Sequence, residues 1–469
     1  MDGLRAMVPT RVFHPNRAGP RAVGLRHASL DTLAWRLTLL GLALHLMLSA
    51  HALIHFGWPY EAPLLGPFPF KIHPGTYVIC LALLCVLCSR GNPMGAAWQA
   101  AVAHPLPAFH LAVMVSCLAW VIWRHGTSGA AYLVDTHWLP ALMALLLMHF
   151  DDRRRAFLLK VLAVFISGNA LLALTEYAAS QRLIPLAMEG QFSGVSTEDL
   201  FRSSAFLGHP LVNSKLTGLL LPMALLLPMH AAWRWLHVGV LVLALLAFGG
   251  RAGLAFCAVV YGTWFLLHLA HEAVRGRWSY LQLTGGSVLL LLAAASMVGV
   301  VVVTGVGERI FTTLYLDNSA SVRLRVWEAY HHVSTEDLWL GLSAREIDKV
   351  ALRLGLDPKY EAIENGWIVL SLQFGLVFFC LWLLGFASLL LWLFRQAPAL
   401  AAAGVLVYLL NASTTNAFAS KTITQGVLVT YVVAAAAQRR QQMRQTAARV
   451  RQSSTAQGSA ASGRKPAFT

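Results

Sequence analysis

Long apolar stretches alternate with short polar connections over most of the chain. Because roughly 20 apolar residues are needed to cross a bilayer as a helix, this pattern predicts an all-α integral membrane protein with about twelve transmembrane helices. The predicted spans lie near 33–54, 74–89, 108–123, 137–150, 156–178, 211–230, 234–248, 252–271, 283–306, 374–394, 398–415 and 420–437.

One apolar run, from Trp235 to Leu269, is too long for a single span. At 1.5 Å per residue it would form a helix of roughly 50 Å. It is interrupted by "FGGRAG", where Gly249 and Gly250 permit a sharp reversal of the backbone. The run therefore predicts two spans joined by a tight turn that carries Arg251.

The remaining segments are less apolar. A segment at 307–373 separates spans 9 and 10, and we expect it to be partly helical, with a helix near 319–333, a Gly-Leu-Ser turn and a short helix near 344–354. The chain is thus divided into a basic tail (1–32), spans 1–9 (33–306), this segment (307–373), spans 10–12 (374–437) and a basic C-terminal tail (438–469) expected to be disordered.

Basic residues predict how the spans are oriented. With twelve spans, the arginines of both tails and of the connections at 151–155, 234, 275–277 and 395 fall on one side, which is the positive-inside pattern. Both termini are therefore expected in the cytoplasm of a bacterium, with the chain in the inner membrane. Four segments then face the periplasm: 179–210, the turn at Arg251, 307–373 and the link near Asn416.

The composition agrees with a membrane protein and argues against other classes. The chain is 57% hydrophobic and 12% charged, whereas soluble domains carry about 25% charged residues. A net charge of +15 would suit a nucleic-acid partner, but basic residues in a membrane protein more often indicate which side of the membrane a segment faces. We therefore expect no nucleic-acid partner. The six cysteines lie in apolar runs without disulfide or zinc spacing, and we expect neither metal nor cofactor.

Three arginines lie near span ends on the predicted periplasmic side, against the positive-inside trend: Arg202, Arg251 and Arg323. Singly, each is also typical of a snorkelling anchor or a loop ion pair. Together they predict a site for a multiply charged anion, since a guanidinium binds phosphate oxygens in pairs and keeps its charge. On this face of the membrane, such an anion would be a polyprenyl pyrophosphate that carries sugar.

Several motifs occur in a characteristic order: "RSSAFLGHPLVNSKLTG", "LAFGGRAG", "SVRLRVWEAY", "AIENGWIVLSLQFGLV" and "NASTTNAFASKT". In order and spacing they resemble the O-antigen ligase and Wzy-type polymerase superfamily, most closely exopolysaccharide-biosynthesis proteins of the VpsF type. The resemblance covers roughly 200–440, and the first 180 residues match only as generic spans. It implies a GT-C-like, metal-independent glycosyltransferase that moves glycan from undecaprenyl pyrophosphate to an acceptor hydroxyl.

The resemblance also implies roles for particular residues. Arg202, Arg251 and Arg323 match the arginines that would hold the pyrophosphate, and Arg325 accompanies them. The ligases carry a His-Asn pair where this chain has Glu364 and Asn365; Glu364 is then the candidate general base or a structural partner. The remaining candidates are His209 as an alternative base, with Asn365, Asn213 and Lys421 in supporting positions. Asn365 also suits the N-cap of the helix that follows it.

The leading functional hypothesis is a polymerase that joins lipid-linked exopolysaccharide repeat units. The expected partners are an undecaprenyl-pyrophosphate-linked oligosaccharide, a glycan acceptor, the lipid bilayer and proteins of polysaccharide assembly or export. Two alternatives stay open: an O-antigen ligase that transfers finished glycan to lipid A-core, and a flippase or transporter for lipid-linked oligosaccharide. Transporters tend to show internal repeats and charges near the midplane, and this sequence shows neither.

Overall fold

A computed structural model describes residues 21–60, 67–127, 129–188, 191–193, 201–276, 325–356 and 363–462. In this part of the chain the protein is built of helices, as predicted, apart from one antiparallel hairpin of two three-residue strands. The strands are β1 (Leu186–Met188) and β2 (Gln191–Ser193).

The helices are named in chain order. The first eleven are α1 (Arg21–Met47), α2 (Ala50–His55), α3 (Pro74–Cys88), α4 (Pro93–Ala103), α5 (Pro105–His125), α6 (Leu139–His149), α7 (Asp152–Ala179), α8 (Pro210–Leu220), α9 (Met223–Leu226), α10 (Ala231–Ala247) and α11 (Arg251–Val274). The next five are α12 (Thr335–Leu340), α13 (Ala344–Arg353), α14 (Gly366–Gln396), α15 (Ala399–Ser413) and α16 (Thr424–Ser462). Short 3₁₀ turns lie at Phe68–Lys71 and Val326–His332, and a π-helical turn at Leu133–Trp138 leads into α6.

The helices make this a multi-pass membrane protein. Five of those described are long and apolar enough to cross a membrane, or six if the pair α3 and α4, bent by 104°, counts as one span. Each predicted span coincides with a helix or helix pair except 283–306, which lies outside the described residues. The five long apolar helices are α1 from Ser29, α5, α7, α11 and α14. Several of the other helices are shorter than a full span, so the number twelve stays a prediction.

Near both ends of the chain the structure differs from the prediction. Helix α1 begins at Arg21, inside the predicted N-terminal tail, and the predicted span 33–54 is broken where Ser49 caps α2 by accepting a hydrogen bond from the Ala52 N–H at 3.1 Å. Residues 438–462, predicted to be disordered, continue α16. This stretch is rich in the helix formers Ala, Gln and Arg, and Arg440 fixes it to Asp152 of α7 at 2.9 Å.

The reversal at "FGGRAG" is confirmed. Helix α10 ends at Ala247, α11 begins at Arg251, and Gly249 between them has a φ of +64°, which favours glycine. The turn brings Arg251 to the N-terminus of α11.

Residues 325–356, here called the cap, form a small layer over one end of the helix bundle. The predicted Gly-Leu-Ser turn and the helix near 344–354 are confirmed, the latter as α13. The predicted helix at 319–333 lies partly outside the described residues, its described end is the 3₁₀ turn, and α12 was not predicted. Apolar side chains of the cap pack with Ile368 and Leu372 of α14.

The cap is locked into a break in α14. This helix begins at Gly366, before the predicted start at 374, and is interrupted at Gly375, whose φ is +68°. The backbone of the cap fills the break, because Leu342 N donates to Leu372 O at 2.7 Å. A Cβ added to Gly375 would lie 2.2 Å from Trp339 O. The predicted boundary thus marks a break within one helix.

Replacing Gly375 by alanine should destabilise this junction strongly. The left-handed conformation costs a residue with a Cβ roughly 1–2 kcal/mol, and overpacking adds roughly 1–3 kcal/mol. We expect a clear fall in the melting temperature of the detergent-purified protein. Gly168→Ala in α7, where a new Cβ would meet no atom within 4 Å, is the matched control and should melt like wild type or higher. Equal melting of Gly375→Ala and wild type would contradict this packing.

Candidate functional site

A cavity of about 580 Å³ lies between the cap and the helix bundle, within the size range of small-molecule sites. Its walls come from the α1–α2 connection, the segment before α3, the start of the π-helical turn, the loop before α8, α8 itself, the cap, α14 and the link between α15 and α16. The polar side chains in its lining include His45, His51, Tyr60, Lys71, His73, Tyr132, His209, Lys215, Asp348, Gln373, Asn416 and Lys421.

The predicted periplasmic segments meet around this cavity. His209, Ile347 and Asn416 line it from three of the four segments, and the fourth, the turn at Arg251, contacts the loop that carries His209 (see below). Two further connections contribute residues that the sequence analysis did not single out: Lys71 and His73 precede α3, and Tyr132 precedes α6. Segments far apart in sequence therefore build one site.

The loop 201–209 is held by a buried carboxylate near the end of α7. Glu176, which is 3% exposed, accepts from Leu183 N at 2.8 Å and from Ser204 N and Ala205 N at 2.9 Å each. Ala205 has a φ of +41°, a conformation that needs such surrounding support. The N–H groups of Ser204 and Ala205 therefore fix the loop against the bundle, and that of Leu183 fixes the chain shortly after α7.

Asn213 of α8 ties the same loop to its neighbours. Its side-chain amide donates to Ser204 O and, at 3.0 Å, to His209 O, and its Oδ1 accepts from Asn169 of α7 at 2.8 Å. Because Asn213 is fully buried, its place in the structure is that of a positioning residue for the loop.

Two of the predicted arginines lie at one turn. Arg202 Nε donates to Phe248 O at 3.1 Å, and the Arg202 side chain lies over Gly249. Arg251 follows three residues after Phe248, at the first position of α11. Arg202 and Arg251 therefore lie at the same end of the bundle, and a further arginine, Arg182, joins them by donating to Arg202 O at 3.0 Å.

His209 caps α8 and faces the cavity. Its Nδ1 accepts from Leu211 N at 3.2 Å, so the neutral imidazole carries its hydrogen on Nε2. Burial lowers the pKa of His209, and the charges of Arg202 and, among others, Lys215 lower it further. At neutral pH this imidazole is therefore uncharged and offers a hydrogen-bond donor to the cavity.

Lysines supply the positive charge of the lining. Lys215 projects from α8 and is 3% exposed, and Lys421 lies with its ammonium 4.5 Å from the centroid of the Tyr60 ring while donating to Tyr60 O. Lys71 is 7% exposed. Of the described residues in the lining, Asp348 is the one carboxylate, so lysines outnumber acids there.

Behind the lining, Asp135 organises the wall. It is fully buried in the π-helical turn and accepts from Tyr60 Oη at 2.9 Å, Thr76 Oγ1 at 2.6 Å and His73 N at 3.0 Å. The His73 ring stacks on His45 with 4.3 Å between centroids. The hydrogen bonds to Asp135 fix the geometry of this wall. π-Helical turns such as this one are frequent at functional sites.

The Glu364-Asn365 pair begins α14. Asn365 is the N-cap, as predicted, and its Oδ1 accepts from Trp367 N at 3.1 Å and Ile368 N at 3.3 Å. Ile363 lines the cavity and Glu364, half-buried, follows it. Glu364 is therefore next in sequence to a residue of the lining and is not itself among the lining residues.

Of the nine residues predicted for the site, His209 and Lys421 line the cavity. Arg202, Arg251, Asn213, Glu364 and Asn365 lie at its end of the bundle, while Arg325 is exposed on the cap near Gly355. Arg323 lies outside the described residues. In the part of the chain that the structure describes, no three His, Cys, Asp or Glu side chains form a group that could hold a metal ion.

No protein-family model, curated protein or solved structure matches the chain.

Proposed function

We propose that the protein is a glycosyltransferase of bacterial surface-polysaccharide biosynthesis. In this proposal it transfers glycan from undecaprenyl pyrophosphate to an acceptor sugar hydroxyl and so polymerises exopolysaccharide repeat units. The observation that supports it is the cavity under the cap, where lysines outnumber acids among the described lining residues. The loop that carries Arg202 contributes to its wall and contacts the turn that precedes Arg251. A cationic cavity of this kind suits an anionic substrate.

In the proposed reaction, Arg202, Arg251, Glu364 and His209 each have a role. The acceptor hydroxyl oxygen attacks the anomeric carbon of the donor, the bond from that carbon to the diphosphate oxygen breaks, and the diphosphate leaves with the electron pair. Arg202 and Arg251 neutralise the charge that develops on the leaving diphosphate. Glu364 takes the hydroxyl proton, and His209 donates from Nε2 to a sugar oxygen, consistent with its capping of α8 through Nδ1.

The site lies at one end of the bundle, which we place in the periplasm. In support of this orientation, basic groups gather where α7 begins: Arg154 pairs with Asp31 at 2.5 Å, and Arg440 and Arg155 pair with Asp152 at 2.9 Å each. The cap contacts the C-terminal end of α5 through Arg124 and Glu336 at 3.8 Å. Arginine-rich ends face the cytoplasm in the positive-inside pattern.

The test is polymer formation by the purified full-length protein. The donor is the undecaprenyl-pyrophosphate repeat unit extracted from cells that lack this protein, and the expected product is a ladder of longer lipid-linked glycans. Chains that form only after addition of lipid A-core would show a ligase instead. Accumulation of the repeat unit on the cytoplasmic leaflet of the deletion strain, without activity in vitro, would show a flippase.

A further inference from the structure

A buried lysine of α8 has little in the protein to compensate its charge. Lys215 is 3% exposed and, within the described ranges, its ammonium makes one hydrogen bond, to Thr415 Oγ1 at 3.4 Å. An ammonium has three N–H donors, and a buried charge is costly unless it is paired and hydrogen-bonded. The amine lines the cavity, so a ligand there can complete its coordination.

Two other chain segments bring lysines to the same cavity. Lys71 comes from the 3₁₀ turn before α3, and Lys421 from the link before α16, where Tyr60 already engages its ammonium. Asp135, the buried carboxylate behind this wall, is occupied by Tyr60, Thr76 and His73 N–H. Since Asp348 is the one carboxylate among the described residues of the lining, the lining favours an anionic group, and Lys215 is a buried cation with a single hydrogen bond in the described ranges.

The types of cation differ between the cavity and its border. The arginines, whose planar forks suit phosphate oxygens, lie at the turn between α10 and α11. Among the described candidate spans, α11 has the smallest share of buried residues, 17% of its most apolar stretch. In the proposed function, a lipid-linked diphosphate would reach that turn from the bilayer. The cavity itself presents lysines, which act as compact point charges and can pair with an anionic group without the two-oxygen geometry that an arginine fork favours.

We propose that the cavity holds the glycan of the substrate and that this glycan is acidic, with a sugar carboxylate bound by the Lys215 ammonium. This inference rests on the proposed function for the identity of the cavity as the glycan site, and it adds the substrate class. Tyr60, Tyr132 and Gln373 line the same space with groups that suit sugar hydroxyls.

The experiment compares two ligands with the same sugar backbone, one acidic and one uncharged. Tetragalacturonic acid and its uncharged methyl ester are titrated into the purified full-length protein in detergent, and heat or fluorescence gives the Kd of each. Wild type should bind the acid at least about tenfold more tightly than the ester, as expected when an acid completes a buried ion pair. Equal affinities for the two ligands would overturn the proposal.

Lys215→Met should abolish the preference for the acid. Methionine is similar in length and carries no charge, and removal of a buried unpaired charge is neutral or stabilising, so the ligand-free variant should melt no lower than wild type. Lys160→Met is the matched control, since Lys160 is exposed near the start of α7, and this variant should keep the preference. A Lys215→Met variant that still prefers the acid would refute the assignment.

Inorganic pyrophosphate separates the two anions of the substrate. It should leave binding of the acid to wild type unchanged, because it occupies the arginine turn. Competitive displacement of the acid would show that Lys215 serves the diphosphate, which would overturn the proposal. A protein that prefers the acid but makes no polymer in the assay above would refute the proposed function and leave the acidic-glycan site standing.

Discussion

Alanine in place of Arg202 is expected to lower the rate of glycan transfer by at least about 100-fold, the loss typical when a charge-stabilising donor is removed from a reaction centre. Arg202 lies over Gly249 and donates to Phe248 O, so its guanidinium is fixed beside the turn that precedes Arg251. Polymer formation by purified protein measures the effect, with protein amount and melting temperature checked in parallel.

Two variants make that result specific. Arg275→Ala removes an arginine from the far end of α11 and should leave polymer formation unchanged. Arg202→Lys keeps the charge but loses the fork that binds two oxygens, so we expect an intermediate rate. Arg251→Ala and Arg323→Ala should behave like Arg202→Ala. If polymer forms at the wild-type rate in Arg202→Ala, the arginine turn is not the diphosphate site.

Alanine in place of Glu176 is expected to destabilise the protein by about 2 kcal/mol or more. Two buried backbone N–H groups, of Ser204 and Ala205, lose their acceptor, and each buried unpaired donor costs roughly 1–3 kcal/mol; the part-buried N–H of Leu183 loses its acceptor as well. The loop that carries Arg202 and His209 should then lose its fixed position, so transfer activity falls together with stability.

Thermal melting and protection of the loop against proteolysis measure this effect. Thr175→Ala changes the preceding residue, which is exposed and bonds to Leu171 O within its own helix, and it should behave like wild type. Glu176→Gln keeps one acceptor oxygen and should lie between the two. A Glu176→Ala protein with unchanged melting would show that other contacts fix the loop.

Local features of the chain were predictable from the sequence. The reversal at "FGGRAG" depends on Gly249 and on the length of the surrounding apolar run, both readable along the chain, and the structure confirms it. Asn365 as the N-cap of α14 is equally local. The prediction of a disordered C-terminal tail was wrong because the polar composition of the tail was given more weight than its helix-forming residues. These residues continue α16 to Ser462.

The cavity was not predictable in the same way, although one of its residues was. Lys71, Lys215 and Lys421 meet because separate segments pack together, and no sequence spacing encodes that meeting. Lys215, however, lies inside an apolar stretch, and an ionisable residue there is by default a candidate functional residue. The predicted site used arginines at span ends and did not include Lys215.

The break in α14 also depends on tertiary packing. A glycine inside an apolar run has no local signature that separates a kink from a continuous helix, and Gly375 is required because Trp339 O and Gly341 N approach it closely. The predicted start of this span near 374 lies next to the break. The residues of α14 before the break, such as Ile368 and Leu372, pack with the cap.

The junction at Gly375 constrains how large molecules enter and leave. Since Leu342 N bonds to Leu372 O and the backbones of Gly341 and Gly375 are in contact, this roof cannot swing upward unless a spanning helix unwinds. If the proposed function holds, a bulky, membrane-tethered substrate should pass sideways through the wall of the bundle, and we expect the slow motion of turnover in the helices and not in a hinged lid.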